Sequence, residues 1–363
     1  MENKYWIALS AIEQLEPRFF RSLVEYFGSA EKAFNSSLEE LKNIDGATVK
    51  KIDNFLLKRD KVVPEKAYEA VVSRGIKFLT FYDENYPRML KEISDPPMVL
   101  YYKGDLRRCN FNRTVAFVGS RHCSINGKEA AKQIIKGFAG TDVCIVSGLA
   151  TGIDTVAHNA AIDNKLATIG VIASGFDHVY PTTNRGLYKK IEDESGVIFT
   201  EYFPTFEPVK FRFPQRNRIV SGLSYGTVVA EAAIKSGALI TANLTLEQGR
   251  ELMCIPGLIN NPNTEGIYKL LRNGATLVTS SEDILNALNW EVMPLVKGEI
   301  NSLDENLTVD EKKILYTINI EPKTFDEIQK ATQLETEVLL ELLTTMELNS
   351  IITQTADDRY RKE

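Results

Sequence analysis

The stretch Val118-Gly-Ser-Arg-His-Cys-Ser-Ile-Asn-Gly127-Lys-Glu-Ala-Ala131 joins two kinds of sequence, because an apolar run leads into it and a helical pattern leads out of it. A strand that ends in glycine, crosses a short polar loop and enters a helix leaves unpaired backbone N–H groups and the positive end of a helix dipole aimed at one point. Such a point suits a phosphate. The loop is neither G-x-G-x-x-G nor G-x-x-x-x-G-K-[ST], so its motif indicates neither a dinucleotide nor a nucleoside triphosphate.

Strand-like runs recur on both sides of this loop, at 114–119, 143–147, 167–173, 197–200, 227–230, 251–255 and 275–278, with amphipathic stretches of helical length between most of them. This alternation predicts an α/β fold with a doubly wound, mainly parallel sheet, Rossmann-like in kind, over residues 110–290. Ligands of such sheets bind beyond the carboxyl ends of the strands. Upstream, Ile7, Leu9, Ile12, Leu15, Phe19, Phe20, Leu23, Val24 and Phe27 recur at helical spacing, predicting a small module of about five helices over residues 1–80. Within it, Leu41 to Ile52 resembles a helix-hairpin-helix turn, with Thr48 where a second glycine is usual; a plain helix connection is the preferred reading. Residues 81–109, with three prolines and a short aromatic strand, read as a connector. Residues 291–303 read as a linker, and 304–363 as three helices and a hairpin, the pattern of a winged helix.

The bulk composition is that of a soluble globular chain: 363 residues, 44% hydrophobic and 25% charged. No apolar run is long enough to span a membrane and Met-Glu-Asn-Lys-Tyr-Trp opens no secretory signal, so a cytoplasmic protein with no membrane partner is expected. Cys109, Cys123, Cys144 and Cys254 are irregularly spaced and read as reduced, structural thiols, while His122, His158 and His178 show no ligand spacing; neither metal nor cofactor is expected. Net charge is −6, but residues 300–363 alone carry 14 acidic and 7 basic residues. The acidity is therefore a C-terminal property, and it sets the winged helix against a phosphate backbone and toward protein contact. The strongest basic focus is Phe206–Arg218, where Lys210, Arg212, Arg216 and Arg218 stand against Glu207 with aromatic residues between them.

Three further segments fall at strand ends. Ser147-Gly-Leu-Ala-Thr-Gly-Ile-Asp-Thr-Val-Ala-His158 carries two glycines, Gly148 and Gly152, that allow close backbone approach to a ligand. Its Asp154 and His158 share a helix face; a first-turn Asp with a packed or surface His is preferred over a catalytic pair, since no nucleophile accompanies them. In Lys210-Phe-Arg-Phe-Pro-Gln-Arg-Asn-Arg218, Phe213 beside Lys210, Arg216, Asn217 and Arg218 offers a ring for base stacking among cations for phosphate, as single strands are held. Glu231 reads either as a general base or as a partner that orients a loop arginine; the second is preferred because no other carboxylate is placed nearby by motif.

Taken together, Tyr86-Pro-Arg-Met-Leu with Asp95-Pro-Pro, Val118-Gly-Ser-Arg121, Val146 to His158, Phe213-Pro-Gln-Arg-Asn-Arg-Ile-Val-Ser-Gly-Leu223, Ser236-Gly-Ala-Leu-Ile-Thr-Ala, Glu247-Gln-Gly-Arg250 and Ile255-Pro-Gly257 resemble the DNA processing protein A (DprA/Smf) family. The order of these motifs makes the resemblance specific. It implies an extended Rossmann domain with a helical N-terminal module and a C-terminal winged helix, and a non-enzymatic homodimer that binds single-stranded DNA and loads the RecA recombinase in natural transformation. It also implies a DNA pocket at Gly119, Ser120, Arg121, Lys210 and Phe213. A second reading is a Rossmann-fold nucleotide phosphoribohydrolase, from Gly226-Thr-Val-Val-Ala-Glu231, although the Pro-Gly-Gly expected before that motif is replaced by Leu223-Ser-Tyr. A regulator of duplex DNA is disfavoured by the acidic C-terminus.

Overall fold

A computed structural model describes residues 2–290 and, apart from a few short breaks, 308–362; the linker expected at 291–303 lies outside the described residues. The chain forms two compact units, divided near residue 295.

The first unit is built on one nine-stranded sheet. Its strands are β1 (Lys77–Thr80), β2 (Val99–Gly104), β3 (Thr114–Val118), β4 (Cys144–Ser147), β5 (Thr168–Val171), β6 (Gly196–Thr200), β7 (Gly226–Val229), β8 (Glu251–Cys254) and β9 (Thr276–Leu277). Each of the seven runs expected from the sequence holds one strand, from β3 to β9. These seven pair in parallel, and β1 and β2 join antiparallel at the β6 edge. So β1, at the end of the expected helical module, and β2, within the expected connector, extend the sheet.

Side chains alternate across a strand, and helices cover both faces here, so both sets are buried. Val115, Phe117 and Ile145 enter the core on one face, while Ala116, Val118 and Val146 enter the core on the other. Complete burial of a side chain such as Phe117 contributes about 1.5–3 kcal/mol. The second of these cores continues without a break into the N-terminal helices through Tyr101, Trp6, Phe20 and Phe55. Those helices number six, from Asn3–Ser10 to Pro64–Val72, against about five expected. In the hairpin-like turn, the Thr48 hydroxyl accepts the Lys51 N–H and Ile52 is buried, as a plain helix connection requires. Cys144 and Cys254 lie inside β4 and β8 as buried thiols.

The strand order is β1-β2-β6-β5-β4-β3-β7-β8-β9. From β3 the chain winds outward through β4, β5 and β6, then returns to set β7 on the other side of β3. The loops after β3 and β7 therefore diverge, and a crevice opens between them at the switch point.

In the second unit, helices Val309–Ile318, Phe325–Thr332 and Thr336–Leu348 pack with an antiparallel sheet of β10 (Lys323–Thr324), β11 (Ile352–Gln354) and β12 (Arg359–Lys362). Leu339, Leu343 and Met346, at helical spacing, bury one face of the last helix against Ile314, Ile318 and Ile328. Among the described residues, no helix is long and apolar enough to cross a membrane.

Candidate nucleic-acid interface

The Gly-Ser-Arg loop turns outward where β3 ends. Ser120 is buried and held from three sides: its N–H donates to the Glu231 carbonyl (2.8 Å), its carbonyl accepts the Ile153 N–H (3.2 Å), and its hydroxyl accepts the His122 N–H (3.1 Å). Arg121 follows at once and is exposed. Gly152, with φ of +83°, packs so closely on this turn that a Cβ would strike the Ser120 carbonyl.

The helix that follows, Ile125–Lys136, does not present its dipole to a ligand as expected. The Glu231 carboxylate sits there, accepting from the Ser124 N–H (2.8 Å), the Ser124 hydroxyl and the Asn261 amide (3.1 Å). A carboxylate at a helix start is stabilised by the dipole and in turn neutralises it. Glu231 is thus neither a general base nor the partner of a loop arginine. It ties the loops after β3, β7 and β8 together.

The floor of the crevice is also built from internal contacts. Arg216 is buried, and its guanidinium donates to the carbonyls of Gly148 and Val171 and to the Asn217 side-chain oxygen (3.2 Å). Burial pushes the Arg216 pKa down and Asp154 holds it up; burial likewise pushes the Asp154 carboxyl up while Arg216 opposes it. A Cβ on Gly148 would lie 2.5 Å from the Arg216 guanidinium and 2.7 Å from the Asp154 carboxylate. Glycine is needed here to make room for these two side chains, a different reason from the close ligand approach read from the sequence. His158 donates from Nδ1 to Thr168 Oγ1 (2.7 Å), which itself donates to the Ile145 carbonyl (2.8 Å). Burial, with Arg216 adding to it, pushes this imidazole down to about 3. It is a neutral core group, as the preferred reading had it.

The walls carry the groups that remain free. Lys210 and Lys235 are exposed and, like Arg121, form no ion pair among the described residues. Phe213 is half-buried; its ring meets that of Tyr180 at 5.5 Å and 66°, and the Arg121 guanidinium stands 5.2 Å from its centroid. The helix Arg212–Gly222 places Phe213 and Pro214 in its first turn, where a missing N–H is tolerated. The result is a cleft of about 900 Å³ at the switch point. Its lining carries Arg121, Lys210, Arg216 and Lys235 against the single carboxylate of Asp154.

Of the nine residues expected in the site, the cleft brings together Gly119, Ser120, Arg121, Gly148, Lys210, Phe213, Arg216 and Asn217. Arg218 is elsewhere. Two positions along the same helix, it faces a separate groove and clamps Glu201 with two bonds (2.6 and 2.7 Å) and Asp95 at 3.0 Å. Arg212 shares that groove, paired with Glu13 at 3.1 Å. Sequence reasoning missed Tyr180, which no motif announced, and assigned no role to Lys235 or to Ser236 and Thr241 of the quoted Ser236-Gly-Ala-Leu-Ile-Thr motif that follows it.

Comparison with known proteins bears on this geometry. Residues 77–289 match the model of the family described as DNA recombination-mediator protein A. The DNA processing protein DprA of Streptococcus pneumoniae is 45% identical over 58% of this chain and 74% of its own length. Protein Smf of Synechocystis is 31% identical over 99% of both chains. The crystal structure of the pneumococcal protein superposes with a TM-score of 0.68 at 35% identity, covering 78% of this chain and 95% of its own. A structure of DNA processing protein A from Helicobacter pylori, reported for its single-stranded DNA binding mode, gives a TM-score of 0.53 at 29% identity over 60% of this chain and 97% of its own.

Proposed function

Because the chain belongs to the DNA recombination-mediator protein A family, we propose that it binds single-stranded DNA in the switch-point cleft and delivers that strand to the RecA recombinase, acting in the cytoplasm in DNA processing and natural transformation. One observation carries the reading: three unpaired cations, Arg121, Lys210 and Lys235, line one open cleft with the half-buried Phe213 ring, and Arg121 stands 5.2 Å from its centroid. Cations that lack internal partners are available to phosphates, and a ring beside them accepts any base by its face. The protein works by binding and not by catalysis, as a homodimer formed through its sheet-bearing unit. The second unit, whose elements run helix, strand, helix, helix, strand, strand, is read as a winged helix serving protein contact. Glu337 and Glu341 on the exposed face of its last helix oppose DNA.

Phosphoribohydrolase activity finds little support, because Glu231, the carboxylate of that motif, is engaged by Ser124 and Asn261. Two assays test the proposal. Strand exchange by RecA on DNA coated with single-strand binding protein should be stimulated, and Arg121→Ala should weaken binding of an oligothymidylate by about 1.5–3 kcal/mol, the scale of hydrogen bonds to charged groups. Release of a base from a nucleoside monophosphate, with no effect on strand exchange, would overturn it.

A further inference from the structure

Three helices follow the strands that frame the cleft, and their starts are not alike. The helix after β3 is met by Glu231. The helix after β4, Ile153–Asp163, carries Asp154 in its first turn, where it accepts the Ala150 N–H (3.3 Å). The helix after β7, Gly237–Glu247, has no acidic residue in its first turn; Ser236 caps it, accepting the Ala238 N–H at 3.2 Å, and Lys235 stands exposed immediately before it. Two starts are neutralised from within and the third keeps its positive end toward the cleft.

An independent feature points to the same spot. Thr241, one turn into this helix, lines the cleft and is only 2% exposed, and its hydroxyl has no partner among the described residues. The hydroxyl is not sealed inside, so it is available from the cleft to an incoming acceptor.

We infer that Lys235, the backbone N–H of Gly237 and the Thr241 hydroxyl form a second phosphate site in the same cleft, separate from the one at the Gly-Ser-Arg loop, so that two phosphates of one strand are held by different loops of the sheet. The inference rests on the single-strand reading of the cleft and extends it to residues that reading does not use. An arginine on the loop after β3 and a lysine with a helix start after β7 fix the path of the strand and not merely its presence. Nothing in this second site meets a base edge, so it contributes equally to every sequence.

The test is a titration of labelled oligothymidylate and oligodeoxyadenylate against the full-length protein at several salt concentrations, with thermal melts as controls. Lys235→Ala should flatten the plot of log affinity against log salt by about 0.7, the value for one counterion released from a single strand. Thr241→Val should weaken both strands by about tenfold, at the low end for a hydrogen bond to a charged group, and Thr241→Ser should restore most of the loss with an unchanged melt. A wild-type slope for Lys235→Ala, or a Thr241→Val loss confined to one base, overturns the second site. Arg121→Ala and Lys210→Ala, run alongside, separate the two levels. If they weaken binding while the Lys235 and Thr241 variants do not, the second site falls and the single-strand reading stands; a wild type without affinity for either strand ends both.

Discussion

The cleft and the groove beside it are separated by one turn of chain, Lys210 to Gln215, and both are rich in arginine and aromatic residues. In the groove the buried cations are matched, Arg218 with Glu201 and Asp95 and Arg212 with Glu13, while the exposed Arg18 forms no ion pair among the described residues. Arg212 also stacks near Tyr202 and Phe206 at 5.0 and 4.8 Å. In the cleft Arg121, Lys210 and Lys235 have no such partners among the described residues, and Arg216 on the floor is engaged from within by the Gly148 and Val171 carbonyls. A basic segment is therefore not a binding site in itself. What distinguishes the two regions is whether carboxylates from other parts of the chain have already claimed the charge.

The largest effect expected from this contrast lies in the groove. Removing Glu201 leaves Arg218 buried with Asp95 as its remaining carboxylate, so Glu201→Ala should cost about 3 kcal/mol of stability, near the low end for breaking a buried pair. Strand affinity of the folded protein should not move. A denaturant melt alongside a binding titration checks both halves, and a selective loss of affinity would erase the distinction between the regions.

The floor of the cleft should behave like the groove, and pH tests this. The folded pKa of His158 is depressed from 6.5 to about 3, so its contribution is complete above pH 6.5 and is lost as pH falls toward 3. Going from pH 6.5 to 4.5 should remove about 2–3 kcal/mol, at about 1.4 kcal/mol per unit. Chemical denaturation at a series of pH values should show this slope, and His158→Asn should flatten it whatever its own stability.

The walls should separate stacking from charge. Phe213→Ala should weaken strand binding by about 1–3 kcal/mol without changing its salt dependence, as expected for a base stacked on a ring. Lys210→Ala should do the reverse and lower the salt slope by about 0.7. If Phe213 serves the core instead, its replacement will lower the melting temperature by several degrees and weaken every activity together. The smallest effect is expected from deleting residues 300–363, which removes a net charge of −7 and should leave strand affinity equal or slightly higher. A tenfold loss at fixed salt would put that unit on the DNA.

Much of this was legible in the sequence, for identifiable reasons. The parallel strands are buried on both faces and read as short apolar runs, so their positions could be found one by one. The antiparallel edge was harder, because β1 has the burial of a half-covered strand and β2 follows a proline-rich segment that reads as a connector. Within the site, the turn glycines and the exposed Arg121 and Lys210 were visible from spacing, while Lys235 was not. The fates of Arg216 and Arg218 were not, since each depends on partners distant in sequence: Gly148 and Val171 for one, Asp95 and Glu201 for the other. The same holds for Glu231, whose role is set by Ser124 and Asn261. Tyr180 reaches the cleft only because the loop after β5 folds against the first turn of the helix at Arg212.

The Glu231 carboxylate has one more consequence, which concerns rates. By joining Ser124 and Asn261 it assembles the rim of the cleft during folding, so a strand arriving from solution meets loops already in place. The ordering entropy that a loose rim would subtract from affinity does not arise at the moment of capture. On the proposed single-strand reading, encounter is then limited by diffusion and by attraction toward the free cations, which predicts fast, strongly salt-dependent association and leaves the lifetime of the complex to the contacts inside.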